Sequence, residues 1–521
     1  MELHFHSSFL LLLLPFLLFL YKLYKPKAQT PPLPPGPWKL PVIGSLHHLL
    51  LGGPLPHRSL RALSDAHGPV MHLKVGAIDL VVISSPEAAR EVMGVHDLSF
   101  ASRPELVVAK VVGYGPTDVA FSPYGPYWRQ LRKICVLELL SFRRVRSFSY
   151  IREEEVSSLV EHVRASGGRS PVNMRERLSA LSNNVVSRAA CGHKCRHRER
   201  LTEAIRVYLR MASGFEITEF FPSLTFIPVV TGMKWRLARH FWRMDAVLDE
   251  IIEEHRLKPK ADSGEGGERE REREDLVDVL LRVKESGDLE IPLTMDNVKV
   301  VILDMFVAGA ETLSTLMEWA MAEMVKNPEV MEKAQAEVRT SLKVGGKERI
   351  EESDIDKLDY LKMVIKETLR LHPPAPLLIP WLCQGTNEVG GYTIAEGTRV
   401  IINAWALGRD PKHWDDAKSF RPERFSEEGL DFKASDFRYE PFGAGRRTCP
   451  EVAFGMAHVE LALAQLLFYF DWELPRGMRP QDLDMMEAFG ASPCRKSELI
   501  LLARPHILDG VCILKLLSLS F

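Results

Sequence analysis

Residues 442–450, with the sequence Phe-Gly-Ala-Gly-Arg-Arg-Thr-Cys-Pro, constrain this chain more than any other segment. The glycines, including Gly445, let the backbone approach a flat group closely, and the arginines, including Arg447, can pair with carboxylates. A helix is predicted to begin near Val452, so the positive end of its dipole is expected to lower the pKa of Cys449. The segment is therefore either a thiolate site for a haem iron or a glycine-rich turn around a buried cysteine.

A second segment, residues 301–312, is an apolar run that is expected to form a deeply buried helix. Gly309 costs that helix roughly 1 kcal/mol relative to alanine, and Glu311 and Thr312 need partners if they are buried. Thr312 can donate its hydroxyl hydrogen back to the Ala308 carbonyl, which only kinks the helix. Alternatively, the segment forms a groove for a diatomic ligand with a proton relay. Taken alone, the residues favour the kinked helix.

Two further motifs combine arginine with acidic or aromatic residues. Glu367 and Arg370 are spaced as an ion pair on one helix face, and Arg424 offers a second cation. Such pairs are weak on a surface, but a buried cluster would lock the segment that precedes Cys449. Trp128 and Arg132 also share one helix face, which is either a plain helix surface or a pair that meets a carboxylate-bearing cofactor.

The N-terminal region predicts a membrane anchor. Residues 9–20 are almost entirely Leu and Phe, and Lys22, Lys25 and Lys27 follow them. A cleaved signal peptide needs a basic start, and this start carries Glu2 and no Lys or Arg, so a retained anchor is favoured. The lysines then place the main body in the cytoplasm. The proline-rich stretch that follows is predicted to be a stiff spacer.

Composition narrows the remaining classes. Lys plus Arg is 67 and Asp plus Glu is 69, a net charge of 67 − 69 = −2, which argues against nucleic-acid binding. The chain has seven cysteines in 521 residues, an odd and sparse set that argues against a disulfide framework. Short β-like runs at residues 70–75, 80–83 and 399–403 interrupt a mostly helical pattern. The predicted fold class is mainly α with small β-sheets.

Taken in order, these four motifs resemble those of a cytochrome P450, a haem-thiolate monooxygenase. Residues 123–129 (Pro-Tyr-Gly-Pro-Tyr-Trp-Arg), 371–376 (Leu-His-Pro-Pro-Ala-Pro) and 405–411 (Trp-Ala-Leu-Gly-Arg-Asp-Pro) resemble the plant A-type microsomal members, which serve specialised metabolism. The resemblance covers residues 31–505. It implies a cytochrome P450 fold behind an N-terminal anchor helix, with boundaries at residues 1–25 for the anchor, 26–45 for the hinge, 46–505 for the haem-binding domain and 506–521 for an apolar tail.

The resemblance also implies roles for individual residues. Cys449 would be the axial ligand of haem b iron, with Phe442 shielding its sulfur and Gly445 beside it. Thr312 and Glu311 would deliver protons to iron-bound dioxygen, next to Ala308 at the haem. The remaining implied residues are the propionate partners Trp128, Arg132 and Arg447 and the structural triad Glu367, Arg370 and Arg424. Electrons would come from NADPH through a cytochrome P450 reductase, at the endoplasmic reticulum membrane, with a single-pass anchor and a cytoplasmic catalytic domain.

Three positions depart from the family pattern. Glu451 stands where a glycine is usual, Trp381 where an Arg or His that pairs a propionate is usual, and Leu313 where a small hydroxyl residue is usual. Glu451 adds bulk and charge beside a thiolate, and Trp381 removes a cation. The alternatives are therefore an active monooxygenase on a hydrophobic molecule such as a terpenoid, a rearranging haem-thiolate enzyme that needs no dioxygen, and a haem-deficient binder. Thr312 disfavours the second.

Three other features carry weaker signals. The run Cys191-Gly-His193-Lys-Cys195-Arg-His197 has metal ligands, but zinc sites usually pair two ligands with a second distant group, so a surface turn is favoured. A set of basic residues is either a solvated face or a docking site for an acidic electron donor; its members are Lys133, Arg143, Arg144 and Arg146. The substrate pocket is expected near residues 100–121 and 215–226 and the helix segment that precedes Thr312.

Overall fold

The computed structural model describes residues 33–506, with short gaps. The predicted anchor (1–25), residues 26–32 of the predicted hinge (26–45) and residues 507–521 of the predicted tail (506–521) lie outside the described residues, so these boundaries stay predictions. The gaps are 107–113, 169, 197, 212–214, 216, 225, 258–273, 344–349, 433–435 and 476.

The described residues are mostly helical, which confirms the predicted class. The α-helices are α1 (Leu46–Leu51), α2 (Pro56–His67), α3 (Pro86–Arg90), α4 (Asp97–Phe100), α5 (Pro126–Ile134), α6 (Phe142–Ser147), α7 (Ser149–Ala165), α8 (Met174–Cys191), α9 (Arg198–Met211), α10 (Ile217–Phe220), α11 (Ile227–Val230), α12 (Met233–Arg256), α13 (Leu276–Ser286), α14 (Met295–Lys326), α15 (Pro328–Lys343), α16 (Asp359–Leu371), α17 (Ala404–Leu407), α18 (Arg424–Glu428) and α19 (Val452–Tyr469). π-Helical turns at Glu91–Val95 and Cys135–Leu139 extend α3 and α5, and 3₁₀ turns lie at Glu352–Lys357, Gly445–Arg447 and Pro480–Asp482.

In the described part of the chain, nine short strands form three small sheets among these helices. The strands are β1 (Val70–Val75), β2 (Ile78–Ile83), β3 (Val172–Asn173), β4 (Trp381–Leu382), β5 (Asn387–Val389), β6 (Tyr392–Ile394), β7 (Arg399–Ile402), β8 (Phe470–Glu473) and β9 (Ile500–Pro505). The sheet orders are β1-β2-β7-β4, β3-β9-β8 and β5-β6. β2 and β7 pair in parallel with Leu80 opposite Arg399, and every other described strand pair is antiparallel. The three predicted β-runs fall on β1, β2 and β7.

The centre of the helical core is α14. Its 32 residues begin with a capping box in which Thr294 and Asn297 satisfy each other's backbone N–H groups. It ends at Lys326 with Asn327 as its C-cap residue, and Pro328 then opens α15 as a first-turn proline. α14 packs against α8, α16 and α19. This helix carries the predicted Glu311 and Thr312 through the middle of the molecule.

Two described helices, α14 and α19, are long and apolar enough to cross a membrane. However, 67% and 72% of their most apolar stretches are buried inside the protein. That burial identifies both as core helices, since their apolar faces contact the hydrophobic cluster formed by α7, α8, α16 and their neighbours. The segment that leads into α19 carries Cys449.

Candidate cofactor site around Cys449

The loop that carries Cys449 is fixed by its own backbone. The Cys449 N–H donates to the Phe442 carbonyl over 3.0 Å, and the Thr448 hydroxyl donates to the Gly443 carbonyl over 3.1 Å. Gly445 has φ of +68°, and a Cβ atom added there would lie 2.3 Å from the Met93 carbonyl oxygen. Only glycine satisfies both requirements, so the turn that presents Cys449 depends on Gly445.

The pKa of the Cys449 thiol differs from the expectation drawn from the helix dipole. Burial raises it to about 12, the neighbouring Glu451 carboxyl raises it as well, and the Glu451 backbone N–H and Arg132 oppose the rise. The predicted lowering by the helix terminus was wrong as a net effect, because desolvation of a thiolate outweighs one dipole and one hydrogen bond. Burial therefore disfavours the Cys449 thiolate, and a bound cation that displaces the proton would offset this cost.

Glu451 begins α19 as its N-cap residue, and its side chain is 8% exposed. It enters an apolar space lined by Leu140, Val186, Met305 and Phe454, among others. Burial alone raises its pKa to about 8, so the carboxyl is largely protonated at neutral pH. The negative charge that Glu451 was expected to bring close to Cys449 is therefore mostly neutralised, whereas the bulk of the Glu451 side chain remains.

Arg447 and Trp128 lie against each other at one side of this loop. The guanidinium stacks over the indole ring at 3.9 Å and donates to the carbonyls of Ala101, Val119 and Ser122. The indole N–H donates to the Val119 carbonyl over 2.9 Å. The structure thus brings together two residues that are 319 positions apart in sequence (447 − 128) and were predicted to serve one site.

Arg132 lies one turn along α5 and joins the same loop. Its guanidinium donates to the Thr448 carbonyl over 2.6 Å, which ties α5 to the residue immediately before Cys449. Burial lowers the Arg132 pKa, and Cys449 and Cys135 raise it in opposition. Arg132 is thus a cation that faces the cysteine region from within the protein.

Arg103 belongs to this cluster and was missed by the sequence analysis. It is 4% exposed, donates to the carbonyls of Ile379 and Pro380 at 2.7 and 2.9 Å, and lies 4.9 Å from the Trp381 ring centre. The Arg103 guanidinium therefore supplies a positive charge next to Trp381, the position at which the family pattern has Arg or His. An arginine before a proline in an otherwise plain loop carries no spacing signal, so only the tertiary structure identifies it.

The charges in this region do not balance among the described residues. Arg103, Arg132 and Arg447 are all largely buried, and the carboxylate that faces Arg103 and Arg447 most closely is Asp118. Burial raises the pKa of Asp118 to about 6, and one of its oxygens has no hydrogen-bond partner. A buried excess of guanidinium groups is costly without counter-charge, so this cluster suits a ligand that brings carboxylates.

Thr312 lies in α14, where its hydroxyl donates to the Ala308 carbonyl one turn earlier. The helix continues through this point as one element from Met295 to Lys326. Ala308, Glu311 and Thr312 keep some accessible surface although α14 is a core helix, as does Cys449. A Cβ on Gly309 would lie 2.9 Å from the Val186 side chain and 3.6 Å from the Glu451 carboxyl. Gly309 thus allows the close packing of α14 against α8 and Glu451.

The three residues of the predicted triad meet in the core with side chains 0% exposed. Arg370 donates twice to Glu367, over 2.6 and 2.7 Å, and Arg424 donates to Glu367 over 3.0 Å. The remaining guanidinium hydrogens reach carbonyls of residues 408–419, such as Gly408 and Ala417. The cluster thereby fastens the chain that leads toward the Cys449 loop onto α16.

Comparison with known proteins agrees with this geometry. The sequence profile of the cytochrome P450 family matches residues 34–497. The chain belongs to the cytochrome P450 family. It is 49% identical over 498 residues to premnaspirodiene oxygenase of Hyoscyamus muticus, covering 95% of this chain and 97% of that protein. It is also 49% identical to desmethyl-deoxy-podophyllotoxin synthase of Sinopodophyllum hexandrum, over 95% and 96% of the two chains.

Among solved structures, a zebrafish cytochrome P450 with abiraterone superposes with a TM-score of 0.72 and 25% identity, covering 87% of this chain and all of that one. The predicted family and fold are confirmed, and with them the enzyme class, a cytochrome P450 monooxygenase. The family implies a haem iron cofactor.

The donor set of this chain fits such a group. Cys449 is enclosed yet retains accessible surface, and it accepts a hydrogen bond from the Glu451 backbone N–H. Arg103, Arg132 and Arg447 supply the unbalanced cations that two propionates would neutralise. The Glu451 side chain enters the apolar space bounded by Val186 and Met305, and its carboxyl lies close to Gly309 of α14. The residues that would hold a haem are thus present and mutually supported.

The stretches predicted to line the substrate pocket do not form one surface in the structure. Phe220 is 6% exposed but packs in the cluster of β1 and β2, and Phe226 is 58% exposed, so this stretch does not line one pocket as a unit. The other predicted pocket residues lie outside the described residues; they are Val107, Val108, Val111 and Val112.

The predicted basic set is only partly exposed. Its exposed members are Lys133, Arg143 and Arg146. Arg144 is 13% exposed and donates to the Glu274 carbonyl over 3.0 Å, so it is not part of an open face.

Proposed function

We propose that this cytochrome P450 inserts one oxygen atom of O₂ into a C–H bond of an apolar terpenoid. The substrate C–H becomes C–OH, the second oxygen leaves as water, and NADPH supplies two electrons. The observation that carries the proposal is Cys449 in its glycine-dependent loop, with three buried arginines beside it. When bound, the haem supplies the activation of dioxygen.

The residues of the chain have distinct tasks in this reaction. Arg103, Arg132 and Arg447 would hold the propionates and orient the group, with Trp128 packed on Arg447. Thr312 holds a proton on its hydroxyl oxygen, within reach of the Ala308 carbonyl, and Glu311 precedes it in the partly accessible stretch of α14. The apolar side chains of α14 around Phe306 exclude water.

A terpenoid substrate is supported by similarity and by the apolar character of α14. Premnaspirodiene oxygenase acts on a terpenoid and shares 49% identity with this chain over nearly its whole length. The residues of α14 that precede Thr312 are mostly Val, Ile, Leu, Met and Phe. A substrate pocket bounded by this segment would favour a substrate with few polar groups, because these side chains offer few hydrogen-bond partners.

Electron supply from NADPH through a cytochrome P450 reductase is part of the proposal. Lys133 in α5 and Arg143 and Arg146 in α6 are exposed, on elements next to the Cys449 loop. A basic surface there complements an acidic electron donor and speeds its docking. The apolar N-terminal block supports anchoring at the endoplasmic reticulum membrane, with this surface in the cytoplasm.

The first experiment measures the haem ligand. The full chain, expressed with its N-terminal segment in microsomes, is reduced and exposed to carbon monoxide, with Cys449→Ser and Cys494→Ser as variants. A strongly red-shifted band in the wild type and in Cys494→Ser, lost in Cys449→Ser, supports thiolate ligation. A band that persists in Cys449→Ser, or is absent from all three at normal protein levels, contradicts it.

The second experiment addresses the substrate. Holoenzyme reconstituted with a reductase and NADPH is given premnaspirodiene, other sesquiterpenes and, as a separate arm, desmethyl-deoxy-podophyllotoxin precursors. Hydroxylated terpene that carries ¹⁸O from labelled O₂ supports the proposal. Turnover confined to the podophyllotoxin arm, whose enzyme is equally similar to this chain, replaces the terpenoid with that class.

The alternative, a haem-deficient binder, rests on the bulk of Glu451 in its apolar space. It predicts a folded protein that lacks the reduced carbon monoxide band even after haemin is supplied. The first experiment therefore separates the two functions.

A further inference from the structure

One short segment carries the backbone acceptors of three residues in the candidate cofactor site. We call residues 114–122, which precede α5, the strap. Carbonyls of the strap accept hydrogen bonds from Trp128, Arg103 and Arg447 over 2.6 to 3.3 Å. These acceptors are the carbonyls of Val119, Ala120 and Ser122. The positions of two buried arginines and of Trp128 therefore depend on where the strap lies.

Hydrogen bonds within the strap and to α5 make it a braced unit. The Ser122 hydroxyl donates to the Pro116 carbonyl over 2.8 Å, and the Ser122 N–H donates to the Asp118 carboxylate over 3.2 Å. The Tyr127 hydroxyl of α5 donates to the Thr117 carbonyl over 2.8 Å. Because these bonds link the start of the strap to its end, a displacement of the first residue is transmitted to the carbonyls that hold the arginines.

The first residue of the strap, Tyr114, meets two other elements at one oxygen atom. Its hydroxyl donates to Asp245 Oδ1 of α12, and Lys299 Nζ of α14 donates to the same oxygen over 2.7 Å. The Lys299 ammonium also lies 5.7 Å from the centre of the Tyr114 ring, and Phe241 of α12 packs edge-on against that ring at 5.0 Å. We call Tyr114, Asp245 and Lys299 the latch.

Burial distinguishes the latch from an ordinary surface ion pair. The Lys299 and Asp245 side chains are 9% and 16% exposed. Asp249 lies equally close to the same ammonium, at 2.7 Å, but its side chain is 60% exposed. Removing one partner of a buried pair leaves a charge without compensation, whereas removing an exposed partner costs little. The structure thus pairs one lysine with a buried and an exposed carboxylate on one helix.

Two further observations show that the strap is held in place from α14. Tyr114 has φ of +53°, a conformation uncommon for a residue with a side chain, so its contacts must stabilise it. The Val119 N–H donates to Asp304 over 2.8 Å. Asp304 lies five residues beyond Lys299 on α14 (304 − 299). The strap is therefore attached to α14 at two points, one of which is the latch.

We propose that Lys299 is a positioning residue for the cofactor, acting through Asp245 and Tyr114. The latch holds the strap against α14, and the strap in turn fixes the guanidinium groups of Arg103 and Arg447. The proposal rests on the cofactor site put forward under the proposed function, although the latch itself lies on α12, α14 and the strap and not in the Cys449 loop. Groups that are held in their binding orientation retain a ligand better than groups that must be ordered on binding.

The first measurement is hydrogen–deuterium exchange of the full-length protein, read by mass spectrometry on peptides from the strap. In Asp245→Asn, which removes the charge and keeps the shape, strap amides should exchange at least about fivefold faster than in wild type, because local opening becomes easier. Tyr114→Phe, which removes only the hydroxyl, should change the rate in the same direction. The matched control Asp249→Asn should stay within about twofold of wild type.

The second measurement is the rate at which haem passes from the holoenzyme to excess apomyoglobin, followed by absorbance. Asp245→Asn and Lys299→Met should release haem at least about threefold faster than wild type, because the arginines lose their fixed orientation. Asp249→Asn should again stay within about twofold. If Asp245→Asn is produced with too little haem, Tyr114→Phe takes its place in both measurements.

Each contrary outcome has a definite meaning. Unchanged strap exchange in Asp245→Asn, or an equal acceleration in Asp249→Asn, overturns the latch. Acceleration in α16 peptides that matches the strap indicates a general loss of stability and overturns the positioning role. Faster strap exchange with unchanged haem release overturns the link to the cofactor. A wild type without the red-shifted carbon monoxide band contradicts the proposed function instead, and strap exchange then still decides whether the latch holds.

Discussion

Two regions of this cytochrome P450 bury carboxyl groups with opposite consequences. On α16, Glu367 accepts hydrogen bonds from Arg370, Arg424 and the Arg421 N–H. On the segment around Cys449, Glu440 has both oxygens buried without a hydrogen-bond partner among the described residues, and only burial shifts the pKa of Glu451. Burial is nearly complete in both regions. The regions differ in whether the buried carboxyl has hydrogen-bond and ion-pair partners. A buried carboxyl with such partners stabilises the fold, whereas one without them destabilises it.

The largest effect is expected at Glu367. Glu367→Gln removes the charge between Arg370 and Arg424, whose side chains are 0% exposed, and should cost about 3–5 kcal/mol of unfolding free energy. Urea unfolding of the haem-loaded protein, followed by circular dichroism, measures it. An unchanged urea midpoint would contradict the conclusion that the paired Glu367 carboxylate stabilises the fold.

Replacing Glu440 should increase the free energy of unfolding, whereas replacing Glu367 should decrease it. Burial and Asp436 raise its pKa from 4.5 to about 8, so the folded state binds this proton more tightly than the unfolded state. The contribution of Glu440 to stability is therefore greatest below pH 4.5 and is lost as the pH rises through about 8. Relative to wild type, Glu440→Gln should gain on the order of 2–4 kcal/mol more at pH 8 than at pH 5.

Urea midpoints at both pH values test this prediction. Glu440→Leu serves as a second variant, which removes the buried oxygens as well as the charge. If the difference in urea midpoint between wild type and Glu440→Gln is the same at both pH values, the prediction is wrong, and Glu440 has a partner in solution.

Glu451 should affect cofactor content more than fold. Because its carboxyl is largely protonated at neutral pH, removing it chiefly removes bulk. Glu451→Gly should raise the haem-to-protein ratio about two- to threefold, equivalent to about 0.4–0.6 kcal/mol. Glu451→Gln, which keeps the bulk, should stay near wild type. Equal ratios in wild type and Glu451→Gly would refute the prediction.

The smallest effect belongs to a surface pair. Glu161 and Arg164 form an i, i+3 ion pair with side chains 71% and 38% exposed. Glu161→Gln should change the unfolding free energy by less than about 0.5 kcal/mol in the same urea assay, since water screens the pair. A loss as large as that of Glu367→Gln would mean that burial does not govern these ion pairs.

The sequence motifs predicted much of the site, since each places its residues on one short element. Cys449 with Gly445 and Glu367 with Arg370 are local in sequence, and their local geometry agrees with the pattern. The pKa of Cys449 could not be predicted, because it depends on how much water the surrounding helices remove. Arg103 could not be found either, since its partners lie at residues 120 and 379–380.

The sequence by itself determined the family and the largely helical class, because spacing and residue type carry that information along the chain, and it identified Cys449 as the residue proposed to bind iron. Only the tertiary structure decided which charges have partners: Glu367 meets Arg370 and Arg424, burial raises the pKa of Glu440 and Glu451 to about 8, and Arg103, Arg132 and Arg447 form the buried cluster proposed to hold a ligand. It also brought Lys299 and Asp245 to Tyr114 at the start of the strap. The reason is physical, since the free energy of a charge depends on dehydration and on near neighbours, and folding sets both.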